Sequence, residues 1–167
     1  MSSVVVARLT GVGFADGSVA DVDLVRSDEP APESEVFAAM VVLQDAEGRY
    51  AVMFSPLRGE WGPPGGGREP GETVLECVLR EVHEETSLEL SADDLAPWGQ
   101  ERFRPQTAGR WPAEGGSLQL YRARISSAAP DLVALEDDAV DPQWMSLEEF
   151  RRRSGDRFWW PLIEGRR

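Results

Sequence analysis

Three glutamates hold the densest potential chemistry in the chain. Glu81, Glu84 and Glu85 stand at i, i+3 and i+4, the spacing that makes side chains neighbours on a helix. Like charges so placed repel one another. A hard divalent cation relieves that repulsion, because Mg²⁺ takes a few carboxylates and fills its shell with water and substrate phosphate. Arg80 adjoins the cluster, and Glu72 lies eight residues before Arg80. The plainer reading is a solvated acidic face in an acid-rich chain. That reading leaves unexplained the upstream run Trp61-Gly62-Pro63-Pro64-Gly65-Gly66-Gly67, where glycines let a backbone approach a ligand closely.

The elements that must position these groups are legible. Thr73 followed by Glu76 is a capping-box spacing and predicts a helix start near Glu72 or Thr73. Leu75, Val78, Leu79 and Val82 recur at helical spacing and predict its apolar face. The run from Trp61 to Gly67 is expected to be a loop, too rich in Gly and Pro for strand or helix interior. His83, the single histidine, reads as an exposed bystander.

From Gly66 the chain reads G-x5-E-x7-R-E-U-x-E-E-x-S-U, with U aliphatic, through Glu72, Arg80, Glu81, Val82, Glu84, Glu85, Ser87 and Leu88. This resembles the signature of the Nudix hydrolases, with eight of nine specified positions matching and Ser87 standing where the family has glycine. Glycine there would suit a left-handed residue ending the helix. The resemblance covers roughly residues 36–163 and implies an α/β fold, the Nudix α/β/α sandwich with a mixed β-sheet. It implies Mg²⁺ or Mn²⁺ held by Glu81, Glu84, Glu85 and the Gly65 carbonyl, with Glu72 bracing Arg80.

Composition bounds the remainder. A chain of 167 residues suits a single domain with room for a proper core. A net charge of −13 argues against binding a nucleic-acid polymer, which needs a basic stripe. An anionic phosphate substrate then requires bound cations to invert the local field. One cysteine, Cys77, forms no intrachain disulfide and points to a reducing cytoplasm. No run of about 18 apolar residues suggests a membrane span, and no leader is expected.

In order, residues 4–14 and 18–25 predict an antiparallel pair turned at Asp16-Gly17. With the acidic, proline-bearing segment 27–35 they form an N-terminal β-hairpin extension and linker, residues 1–35. This extension could extend the sheet, cover the site or pair with another subunit, so a homodimer is left open. The Nudix domain is expected over residues 36–167. Residues 36–44 and 50–55 are near-continuous apolar runs, expected to form a buried hairpin. Further strands are expected at 95–104, 117–125 and Trp144-Met145, and Ser146 with Glu149 predicts a closing helix.

Phosphoryl chemistry also needs a base and a substrate grip. MutT-like Nudix members carry a glutamate six residues before a run like Trp144-Met145-Ser146-Leu147, which lands on Asp138. The segment Asp156–Ile163 resembles the acidic, aromatic closing helix of the oxidised-purine nucleoside triphosphatases. That likeness makes Asp156 and Trp159 candidate substrate residues, and Trp111 offers another stacking face. The resemblance thus implies hydrolysis of a pyrophosphate bond in a nucleoside diphosphate linked to another moiety, foremost a nucleoside triphosphate, oxidised or not. ADP-ribose, dinucleoside polyphosphates and nucleotide sugars stay open, as does a Nudix-fold module that binds a nucleotide without cleaving it.

Overall fold

A computed structural model describes residues 2–164; Met1 and the end of the expected domain, 165–167, lie outside them. Among the described residues nine strands join in one sheet: β1 (Ser3–Gly13), β2 (Val19–Ser27), β3 (Val36–Gln44), β4 (Tyr50–Ser55), β5 (Glu60–Gly62), β6 (Gly65–Gly67), β7 (Ala96–Pro105), β8 (Gly116–Arg124) and β9 (Val140–Met145). Their order is β1-β2-β7-β8-β3-β4-β5, with β6 also on β3 and β9 on β4. β3 runs parallel to β8, and the other pairs are antiparallel. The apolar β3 is buried at six of its nine positions, as a strand covered on both faces must be.

Helices cover both faces. On one side α1 (Val74–Thr86) packs Val74, Cys77, Val78 and Val82 against Val41, Leu43 and Ala123. On the other, α2 (Leu147–Ser154) and α3 (Trp160–Ile163) bring Phe150, Trp160 and Leu162 to Val22, Leu24 and Leu120. The expected α/β/α sandwich with a mixed sheet is what the chain forms.

Three expectations need correction. The apolar face of α1 is rotated: Leu75 is exposed and Leu79 half-buried, while Val74 and Cys77 enter the core. The buried stripe 74, 77, 78, 81, 82, 85 follows helical periodicity through Glu81 and Glu85, so two of the three glutamates lie on the core edge of the helix. Second, β3 and β4 barely form a hairpin, since only Gln44 and Tyr50 pair. β3 turns instead to β8 and β6, and β4 to β5 and β9. Third, part of the expected glycine loop is strand: Gly65, Gly66 and Gly67 pair with Met40, Ala39 and Ala38. A Cβ on Gly65 would lie 2.4 Å from Met40 Cβ, and one on Gly66 2.5 Å from Glu81 Oε1. At Gly65 and Gly66 only a residue without a side chain fits.

The N-terminal hairpin extends the sheet: β2 pairs with β7 from Ala20↔Pro105 to Arg26↔Gly99. Phe14 beyond β1 joins an aromatic cluster with Phe103, Trp111 and Phe158 at centroid separations of 6.0, 5.0 and 5.6 Å. Within the linker, Glu33 Oε1 accepts from Val74 N at 2.6 Å and so caps α1.

Candidate active site

α1 opens and closes as its sequence dictates. Thr73 accepts from Glu76 N at 3.1 Å, an N-cap bond. Ser87 ends the helix at φ +66° with its N–H on His83 O, a geometry costing a non-glycine residue about 1 kcal/mol. Each glycine of β6 grips this helix. Gly65 N donates to Glu85 Oε1 at 2.8 Å, Gly66 O accepts from Cys77 Sγ at 3.7 Å, and Gly67 O accepts from Arg80 Nη2 at 3.0 Å. The sequence resemblance placed the Gly65 carbonyl at the metal; the contact found between Gly65 and the glutamates is made by its N–H.

Arg80 is the hub. Its guanidinium donates to Glu72 through Nε at 2.6 Å and Nη2 at 3.0 Å, to Glu81 Oε1 at 2.9 Å and to Glu84 Oε2 at 3.2 Å. The bidentate half fixes the fork, and the Arg80 hydrogen bonds hold Glu72 down at about 2. The glutamates beyond it differ. Burial raises Glu81 and Glu84 above the usual carboxylate range, against the pull of Arg80. Burial pushes Glu85 up to about 8, opposed by the Gly65 N–H and reinforced by Glu81 and Asp138. Glu81 Oε2 is buried and has no hydrogen-bond partner.

This all-oxygen donor set suits a hard divalent cation, and the orphan Glu81 oxygen is a position such an ion would satisfy. Among the described residues no three His, Cys, Asp or Glu side chains yet converge on one point. Arg80 and Gly65 N hold the oxygens that would have to turn.

The sequence profile of the NUDIX domain fits residues 35–163. The chain belongs to the Nudix family. Members of that family generally use divalent cations such as Mg²⁺ or Mn²⁺. A nucleoside triphosphatase NudI of Salmonella arizonae is 33% identical over 96 residues, 55% of this chain and 65% of that protein; the chain thus spans just under two thirds of that relative. A Bacillus subtilis pyrophosphohydrolase, BsRppH, superposes with TM-score 0.56 at 20% identity, covering 82% of this chain and 77% of its own. A Francisella tularensis bifunctional NMN adenylyltransferase/ADP ribose pyrophosphatase, complexed with AMP and a Mn ion, superposes with TM-score 0.56 at 22% identity, covering 80% and 41%. At these identities the two structures share the fold.

Within this Nudix fold the remaining candidates divide. Asp138 is exposed, yet close enough to act on Glu81, Glu84 and Glu85. Its connector is tied to the end of α1 by Val133 N on Thr86 O at 3.0 Å and Leu135 N on Glu84 O at 2.7 Å. Asp156 lies apart, in an open surface depression with Arg151, Arg157, Pro161 and Glu164. Trp111 stacks on Phe103 at 5.5 Å and donates Nε1 to Thr107 O. Trp159 is 5% exposed and packed between Phe150 and Trp160. His83 is exposed.

The sequence reading passed over Glu33 and Arg68. Arg68 ties the linker to the glycine strand through Glu33 Oε1, Glu33 O and Glu72 O. It also passed over Glu101, 2% exposed in β7. A signal existed: Glu101 stands two residues before Phe103, in phase with the buried face of an alternating strand. Among the described residues no helix is long and apolar enough to cross a membrane.

Proposed function

We propose that the chain is a divalent-cation-dependent pyrophosphohydrolase of nucleoside triphosphates, releasing a nucleoside monophosphate and pyrophosphate. One observation carries this reading: Glu85 and Glu81 lie against the glycine strand, Arg80 holds Glu81 and Glu84, and Glu81 Oε2 is buried without a partner. The NudI relative supports the triphosphate substrate by its name. Glu81, Glu84 and Glu85 would hold the cation, with the Gly65 backbone beside them. When bound, it supplies positive charge against the phosphate oxygens and acidifies water.

The chain's own residues do the positioning. Glu72 clamps the Arg80 fork, so Glu81 and Glu84 keep one approach to the phosphates. Asp138, held near by the connector's bonds to α1, takes the proton of the attacking water. The water oxygen bonds to phosphorus as the anhydride P–O bond breaks, and the leaving oxygen departs with pyrophosphate. Of the substrate candidates named from the resemblance, Trp159 is packed between Phe150 and Trp160, Trp111 stacks on Phe103, and Asp156 lies apart, so their roles toward the substrate stay proposals.

The test is product release from a nucleotide panel with Mg²⁺ or Mn²⁺, including dNTPs, 8-oxo-dGTP, ADP-ribose, dinucleoside polyphosphates and nucleotide sugars. A nucleoside triphosphate should exceed the other classes by a hundredfold in kcat/KM. A diphosphate-linked substrate in first place would reassign the chain within its family. Silence across the panel with cation binding intact would make it a binding module.

A further inference from the structure

The sheet face opposite α1 holds an anomaly. In β7, Glu101 pairs with Leu24 of β2 and Leu118 of β8, and directly opposed residues share a face. That face is the apolar core of Leu24, Phe103, Leu120 and Trp159. Glu101 is 2% exposed, and its Oε2 is buried without a hydrogen-bond partner. A carboxyl so placed is strongly unfavourable unless something hydrogen-bonds it. A leucine would satisfy the alternation and leave nothing unpaired.

The surroundings point to a ligand. The charges acting on Glu101 are Arg58 and Glu60, from the short hairpin that β4 makes with β5. Arg58 acts on Glu85 as well, so the orphan carboxyl and the glutamate cluster share one cationic neighbour. The hairpin pairs only Met53–Ser55 with Glu60–Gly62. Gly62 leaves room beside the Trp159 ring, whose Cζ2 lies 4.0 Å from where a Cβ would stand.

We propose that Glu101 is a specificity-determining residue, its carboxyl receiving the hydrogen-bonding edge of the substrate's nucleobase beneath the β4–β5 hairpin. The inference rests on the nucleotide reading of the site. Phosphates at the glutamate cluster and a base at Glu101 would lie on either side of Arg58. Burial pushes Glu101 up to about 8; at neutral pH the protonated head offers one donor and one acceptor, the complement of a base edge that carries both. Leaving such a buried head unpaired makes a site reject the wrong edge sharply.

The test is equilibrium binding of the four nucleoside 5′-monophosphates of adenine, guanine, cytosine and uracil, by calorimetry with Mg²⁺ present. Monophosphates contain no anhydride, so binding is read apart from hydrolysis. The intact protein should prefer one base at least tenfold. Glu101→Leu should melt no lower than the parent and hold all four within threefold of one another. Glu101→Met, of similar volume, replaces it where leucine does not fold. A preference unchanged in the apolar variant, or no preference in the parent, overturns the inference. Base preference that collapses in a protein with no triphosphatase activity would defeat the proposed reaction and leave the role of Glu101 standing. Triphosphatase activity with unmoved preference would do the reverse.

Discussion

α1 and α2 are built from the same parts and settle them differently. Each opens on a hydroxyl N-cap, Thr73 or Ser146, that accepts from the third residue on. In α2 a single glutamate, Glu149, meets two arginines, Arg152 and Arg153, at 2.6 and 2.7 Å. Those bonds lower its pKa, and the pairs lie on the surface. In α1 the ratio is inverted: Arg80 serves Glu72, Glu81 and Glu84, with Glu69 a further 3.7 Å contact. Arg80 satisfies Glu72 and leaves the others raised. A helix that must only be stable neutralises its carboxylates. The Nudix helix keeps some in deficit, and an unsettled buried carboxylate marks a candidate site better than acidity alone.

Substitutions can break this contrast. Glu84→Gln should lower kcat by on the order of a thousandfold, with the fold intact by circular dichroism; product release within twofold of the parent would remove Glu84 from the site. Next comes Gly66→Ala, whose added carbon falls 2.5 Å from Glu81 Oε1. It should cut kcat about a hundredfold by displacing that carboxylate. Gly67→Ala meets nothing within 4 Å and should leave the Glu81 side chain undisturbed. Equal losses in both alanine variants would show that the strand backbone, and not Glu81, is disturbed.

Glu72→Gln tests the satisfied half of the hub. Glu72 is partly solvent-accessible, so the loss should be about 2 kcal/mol in urea denaturation, below that of a fully buried pair. Glu72 is depressed from 4.5 to about 2, so its contribution is present above the unfolded value and fades as pH falls through the folded one. The gap between parent and variant should therefore be constant near neutrality and close between about pH 4.5 and 2. A gap independent of pH in that window would assign the loss to packing.

The helix ends offer a smaller test. α2 ends on Gly155 at φ +67°, α1 on Ser87 at φ +66°. Ser87→Gly should stabilise the protein by about 1 kcal/mol by removing left-handed strain, and no gain in Tm would mean the serine is compensated. Smallest of all, Glu149→Gln should leave kcat/KM within twofold, since its partners are exposed arginines. A larger change would couple α2 to the chemistry.

Much of this contrast is legible in the sequence. Spacing alone placed the helix start near Glu72 or Thr73, with the cap found at Thr73, and put the carboxylates on one helix, and the aliphatic runs placed the central strands. The glycine segment was misread because propensity scores Gly65–Gly67 as loop, whereas tertiary fit selects glycine at Gly65 and Gly66 for lack of a side chain. The phase of the apolar face was misread because Glu81 and Glu85 lie on the buried stripe, where hydrophobicity does not look for them. Glu101 was missed for the same reason. Its burial comes from β2 and β8, neighbours distant in sequence. The opposite faces of the sheet thus hide their polar groups from pattern reading in the same way.

The edge hairpin has a consequence for synthesis. β1 and β2 emerge before β7 and can pair at once, but β2 finds its other partner in β7, with Arg26 against Gly99 and Ala20 against Pro105. More than half the chain must leave the ribosome before that edge is covered, and β3 waits longer still for β8. Non-local pairing of this kind is slow and exposes strand edges meanwhile. The nascent chain therefore carries its aggregation risk early, in the segment that lies outside the Nudix profile.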